Sequence, residues 1–374
     1  MMKSLPGRFV LNALLLLVLS MMPALPLSAQ SGNPPAFTPA SIRFEDDVIS
    51  VTVDGDNAYV GTYTKLYILD TTHPMNPRTT GSLDIPVLDA VIEDKMMYAT
   101  SGSYLLVMDV TDSAFPQMLS MNRMPSGSHK AIALFDTHVY IGHNTGLAAI
   151  NVSDPYSPTL VGNLEYVVGG VNGIEIREVV TDMGQRRYAY LATQRNRVWE
   201  GFYGGGLRIV DVTDPADMQQ IYPCRSAICP TDCDMLDLAG EGDYIFTIQA
   251  IDHENDRLYI HDISDPDAIQ EVAFHEMSQP AWHVAVQNNQ AHVATGSALE
   301  NFGSIQTFDV TDKANPRQVG LHGIEVNPIN ARLAASPACL FVPQGARGLK
   351  ILCESTITPT PPSLVYLPMV QAAG

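Results

Sequence analysis

Apolar and polar residues alternate over runs of five to seven positions along most of this chain, and clusters of Asp, Asn, Gly and Pro end the runs. A period of two places successive side chains on opposite faces of an extended backbone, so each run predicts a strand with one buried face. The clearest run is Leu207-Arg208-Ile209-Val210-Asp211-Val212, which continues into Thr213-Asp214-Pro215. Its β-branched residues favour a strand. Pro215 cannot donate to a ladder, and the two aspartates can hydrogen-bond their own backbone, so a turn follows. Variants of this phrase recur at Leu66 to Thr71, Leu105 to Asp112, Leu147 to Pro155, Leu258 to Pro266, Ile305 to Asp312 and, decayed, Leu349 to Cys353.

The residue closing each repeated strand is Asp70, Asp109, Asn151, Asp211, Asp262, Asp309 or Cys353. These anchors mark seven copies whose spacing fits a four-stranded propeller blade. The first copy gives the plan: strand A over Val48 to Val53, strand B over Ala58 to Tyr63, strand C over Lys65 to Asp70 and strand D over Arg78 to Leu83. The seventh supplies A, B and C at Ile329 to Ala335, Cys339 to Pro343 and Leu349 to Cys353, and then runs into Pro and Thr. Residues Pro39 to Phe44 resemble the D strands and precede the first strand A, so they are expected to complete the last blade and remove its open edge. The predicted fold is therefore all-β: a seven-bladed β-propeller of four-stranded antiparallel blades, closed by an N-terminal strand.

The repeated Leu-x-Ile-x-Asp-Val-Thr-Asp-Pro phrase resembles that of the LVIVD-repeat family of bacterial and archaeal propellers, over about residues 39 to 354. The resemblance implies an exported propeller and assigns no activity. Asn151 and Cys353 depart from the anchoring Asp, and the fourth copy is long.

Flanking segments refine this picture. Lys3 and Arg8, the apolar run Phe9 to Met22 and the small exit Ser28-Ala29 read as a secretory signal peptide over residues 1–29. The propeller is expected over residues 30–354. Residues 355–374 form a Pro/Thr-rich linker and a short apolar tail, which is either a sorting tag or a segment packed on the propeller, and which is too short to span a bilayer. The formal charge of -19 repels nucleic acid and anionic lipid. The expected setting is a bacterial or archaeal envelope, secreted or at the cell surface, with an extracellular protein or carbohydrate as partner and no transmembrane span in the mature chain. Five cysteines fit an oxidising compartment. Cys339 and Cys353 fall on facing strands of one hairpin and can form a disulfide. Cys224, Cys229 and Cys233 share one loop, where two can pair or three can contribute to a zinc site.

Candidate chemistry sorts by face. The A-to-B and C-to-D turns share one face, and the repeated Asp-rich turns lie there, with carboxylates that either cap their own backbone or bind calcium. The D-to-A and B-to-C loops share the other. Long B-to-C loops there carry Arg195, Arg197, Trp199, Glu200, Phe202 and Tyr203 in the fourth copy, Asp252, His253 and Glu254 in the fifth, and Glu300 to Phe302 in the sixth. Trp, Tyr and Arg anchor interfaces and stack on sugars, so this rim is a candidate ligand-binding face. The openings of the A strands place Ser50, Asp89, Ala131, Asn172, Asp234, His283 and Arg332 near the channel mouth, as a polar ligand or metal site or as a water-filled channel. No phosphate-binding glycine loop, nucleophile elbow or His-Glu-x-x-His helix is present. The expected function is a binding or interaction scaffold acting through the loop-rich face of blades four to six. The alternative is a hydrolase or lyase at the channel mouth. No cofactor is predicted, calcium being the ion the acidic groups could take.

Overall fold

A computed structural model describes residues 37–124, 131–165, 170–181, 184–194, 196–198, 201–203, 205–221, 234–250, 256–297, 303–325 and 332–354. The repeated turn explains how each blade is cut from the chain. Asp70, Asp109, Asn151, Asp211, Asp262 and Asp309 each accept the backbone N–H two residues on, at 2.8–3.0 Å. The second acidic residue repeats the device: Asp112, Asp154, Asp214, Asp265 and Asp312 accept from the residue two further on. These carboxylates thus serve as turn caps, and the strand that follows is redirected to the outside of its blade.

Seven four-stranded antiparallel sheets result, six of them in simple A-B-C-D order. In the seventh the order is Phe37–Ile42, Leu349–Glu354, Cys339–Pro343 and Ala334–Ser336. The N-terminal strand pairs with the last strand over its full length, from Phe37 opposite Glu354 to Ile42 opposite Leu349. Closure by residues from both ends of the described propeller is thus as expected. Phe44, just past this strand, packs on Tyr67 of the first blade at 4.7 Å between ring centres.

Apolar clusters lie between neighbouring blades. Tyr59, Leu66 and Ile68 of the first blade meet Met97, Ala99, Leu106 and Met108 of the second. On its other face the first blade packs Ala58, Val60 and Leu69 against Phe341, Leu349 and Ile351 of the seventh. One strand B position carries the large rings that fill these gaps: Tyr59, Tyr98, Tyr140, Tyr190, Phe246 and Phe341, with His292 in the sixth blade.

A small residue is needed at the matching strand D position, because the Asp-rich turn of the next blade packs there. A Cβ on Gly81 would stand 2.3 Å from the carbonyl oxygen of Ser113, and one on Gly162 would stand 2.0 Å from that of Pro215. Ser120 at the same position donates to the Pro155 carbonyl at 2.7 Å. Such close approach of blade to blade leaves no room for a branched side chain.

Cys339 and Cys353 pair across strands B and C of the last blade and form a disulfide. Cys353 occupies the place of the capping Asp, in the one blade whose strand C does not turn back into its own strand D. Blade four is the outlier of the ring. Its A and B strands, Val171–Thr181 and Gly184–Thr193, form a hairpin longer than any other, and its strand D is the two-residue Gln219–Gln220. No helix among the described residues is long and apolar enough to cross a membrane.

Candidate functional site

Four of the A strands open with a one-residue bulge, at Val48/Ser50, Val171/Gly173, Met235/Asp237 and Ala281/His283. A bulge leaves one residue unpaired and re-aims the next. Aligning the blades on the strand B residue that faces the last residue of strand C, and counting four pairs inward along the A-B ladder, the equivalent positions are Ser50, Asp89, Ala131, Gly173, Asp237 and His283, and Arg332 takes the same place two residues before the short strand A of the last blade. Five of these coincide with the residues expected from sequence. In blade four the ring residue is Gly173, with Asn172 on the bulge beside it. In blade five it is Asp237, while Asp234 lies three residues earlier, opposite Ala250 at the start of the strand. The A-to-B turn at Gly242 was the usable signal for Asp237, since the bulge misleads a count from the other end.

These positions converge on one charged chain of contacts. Arg332 Nη1 lies 2.5 Å from Asp89 Oδ2, and Nη2 lies 3.4 Å from Asp237 Oδ1. Nη2 also donates to the backbone carbonyl of Asn172. Asp237 Oδ2 is 3.1 Å from His283 Nδ1 and accepts the N–H of Val284 at 3.3 Å. Asp89 accepts two further backbone N–H groups, from Ala90 at 3.0 Å and Ile132 at 3.2 Å. Asn172 Nδ2 donates to the Met235 carbonyl at 3.0 Å. Ser50, on the far side, donates to Val87 at 2.8 Å.

Both carboxylates are buried. Burial pushes the Asp89 carboxyl above the ordinary carboxylate value, opposed by the Arg332 guanidinium and the two N–H groups. Burial alone would lower Arg332, but Asp89 and Asp237 outweigh it and hold the guanidinium above its ordinary value. Ala131 and Gly173 are the two smallest residues at the ring positions. A Cβ on Gly173 would already sit 3.2 Å from Asp237 Oδ1. Among the described residues no group of three or more His, Cys, Asp or Glu could hold a metal ion, and at the mouth the guanidinium stands where a cation between Asp89 and Asp237 would be.

The rim is described in part. Asn196–Val198 and Gly201–Tyr203 pair as a two-stranded sheet that belongs to no blade, with Arg197 opposite Phe202 and Tyr203 opposite Asn196. Arg195, Trp199, Glu200, Asp252, His253, Glu254, Cys224, Cys229 and Cys233 lie outside the described residues, as do the flanking segments. Asp256, just before strand C of blade five, is buried and accepts the Ala281 N–H at 2.9 Å, which ties blade five to blade six. Trp282 donates from Nε1 to the Gly296 carbonyl at 2.7 Å, at the base of the sixth loop.

The LVIVD repeat family matches residues 46–84 and 126–165. Each match spans one whole blade, from Val48–Asp54 to Arg78–Leu83 and from Ala131–Phe135 to Thr159–Glu165. The chain carries LVIVD repeats. In both matched stretches the repeat unit of the sequence is therefore the structural blade, with strand A innermost. No curated protein matches the chain. In structure, the chain is similar to the Kuenenia stuttgartiensis hydrazine synthase, with a TM-score of 0.59 at 9% identity, covering 84% of this chain and 97% of that one. It is similar also to the WD40 β-propeller domain of Doa1, with a TM-score of 0.58 at 9% identity and coverage of 85% and 96%. The Neurospora crassa Pan2 WD40 domain gives a TM-score of 0.54 at 12% identity, with coverage of 83% and 90%. At such identities the likeness shows the propeller fold alone.

Proposed function

We propose that this LVIVD-repeat protein is an exported interaction scaffold that binds a protein or carbohydrate ligand on the loop face of blades four to six. The observation that carries the reading is the extra hairpin of blade four. Among the described residues, its B-to-C connection is the one that builds a sheet outside the ring, bringing Arg197 opposite Phe202. A rigid ring that presents an irregular, Arg- and aromatic-rich loop is the usual arrangement of a binding surface. The channel mouth supports the same reading from the other side, because its buried carboxylates are already engaged by Arg332, His283 and backbone N–H groups. Export is supported by the signal-like residues 1–29 and by the Cys339–Cys353 disulfide, which suits an oxidising compartment. A cell-surface location would give the tail at residues 355–374 a role in attachment.

The test is a thermal-shift screen of the purified chain against oligosaccharides, followed by a glycan array and capture of envelope proteins. A stabilising ligand whose effect is lost in Trp199→Ala and Arg197→Ala, and kept in His283→Ala, is the expected result. A second reading, a hydrolase or lyase, is favoured by the Asp237–His283 hydrogen bond, since a carboxylate on Nδ1 is how a catalytic imidazole is oriented. Stabilisation by calcium or another divalent cation that disappears in Asp89→Ala or His283→Ala, with the rim variants unaffected, would replace the first reading by the second.

A further inference from the structure

We propose that Arg332 is a resident cation that fastens the closing blade to the opposite side of the ring. This goes beyond the binding reading and does not depend on it. The last blade is the least supported by its own backbone. Its strand A is only Ala334–Ser336, whereas the other six A strands run from five to eleven residues. Its strand D comes from the other end of the described propeller, Phe37–Ile42. The innermost ladder, which elsewhere anchors a blade beside the channel, is here three residue pairs long.

Arg332 lies two residues before this short strand, at the ring position of blade seven. From there it reaches residues of blades two, four and five: the Asp89 carboxylate, the Asn172 carbonyl and the Asp237 carboxylate. In sequence the two ends of the Asp89 contact are 243 residues apart. One side chain thus ties four blades through the centre. The five N–H donors of a guanidinium are suited to this, because they lie in a plane and point outward in a fork, so two carboxylates and a carbonyl on different blades can be met at once. A lysine could satisfy one of them. Asp89 and Asp237 also need the tie. Without it, two buried carboxylates would face the same space with only backbone N–H groups and His283 in support, and an uncompensated buried charge is costly. Gly173 keeps the space beside Asp237 open, since a Cβ there would meet Asp237 Oδ1 at 3.2 Å and the Leu238 backbone nitrogen at 3.2 Å.

The experiment is chemical rescue. Thermal unfolding of the full chain is followed for the parent, Arg332→Gly and Arg332→Lys, each with and without millimolar guanidinium. The expected result is a melting temperature about 10 °C lower in Arg332→Gly, a smaller loss in Arg332→Lys, and partial recovery of Arg332→Gly alone on adding guanidinium. Ammonium at the same concentration should recover less. Recovery should vanish when Asp89→Asn is added to Arg332→Gly. Hydrogen exchange should speed up first in Ala334–Ser336, Cys339–Pro343 and Leu349–Glu354, and later in blades three and four. If Arg332→Gly does not fold, the lysine variant decides: a stability equal to the parent removes the need for the fork. An Arg332→Gly protein that melts with the parent, or one whose loss guanidinium does not recover, overturns the proposal.

Discussion

Two fully enclosed histidines should make this propeller lose stability in mild acid by an amount that can be assigned residue by residue. His261 and His292 are 1% and 7% exposed, and one nitrogen of each ring, His261 Nε2 and His292 Nδ1, meets a threonine hydroxyl, Thr247 and Thr307, at 3.0 Å. Burial pushes both imidazoles down from 6.5 to about 4. The neutral form is therefore the folded form, and the stability it confers is complete above the unfolded value and lost as pH falls from 6.5 towards 4. At about pH 4.5 protonation favours the unfolded imidazole over the folded one, so each histidine costs the fold on the order of 2–3 kcal/mol relative to about pH 8. Urea unfolding at the two pH values measures this directly. His261→Gln keeps a partner for Thr247 and removes the titration, so its loss between the two pH values should be smaller than the parent's by roughly 2–3 kcal/mol. The double variant with His292→Gln should be flatter by about 5 kcal/mol. Carboxylates with lowered values, such as Asp211 and Asp309, also contribute acid sensitivity, but equally in parent and variants. Equal losses in parent and His261→Gln would refute the argument that burial holds this ring neutral.

Three further outcomes follow from the same geometry. Gly162→Val should cost about 3 kcal/mol or more in thermal or urea unfolding, since its Cβ alone meets the Pro215 carbonyl at 2.0 Å, while Ser120→Gly should cost little. Cys353→Ser should lower stability by about 3 kcal/mol through loss of the 14-residue disulfide loop, and a reductant should bring the parent to the variant's melting temperature and leave the variant where it is. Deleting residues 1–42 should expose the outer edge of Leu349–Glu354, and size-exclusion chromatography should then show aggregates or faster proteolysis of the last blade; a monomer with parental melting would contradict the closure.

Much of the fold was legible in the chain because its information is local. The Asp-Val-Thr-Asp-Pro phrase states both a strand and the turn that ends it, and the five capping aspartates and Asn151 bond within two residues of themselves. The strands of the first copy, the Cys339–Cys353 pair and the N-terminal closure followed from alternation, spacing and a missing fourth strand. Blade four was less legible: the long hairpin of Val171–Thr181 and Gly184–Thr193 reads as ordinary alternation, and no local signal says how far past the ring it extends.

Sequence alone determined the blade count and the order of strands, since each depends on side chains acting over a few positions. Only the tertiary structure decided that Asp237 takes the ring position instead of Asp234, because strand A of blade five starts three residues before that position and bulges between Met235 and Asp237, and both its length and its bulge are set by how strand and neighbour pack. Likewise Arg332, Asp89 and Asp237 carry no mutual signature along the chain. Their encounter exists only once seven blades have closed a circle and brought residues from opposite sides within reach of one guanidinium.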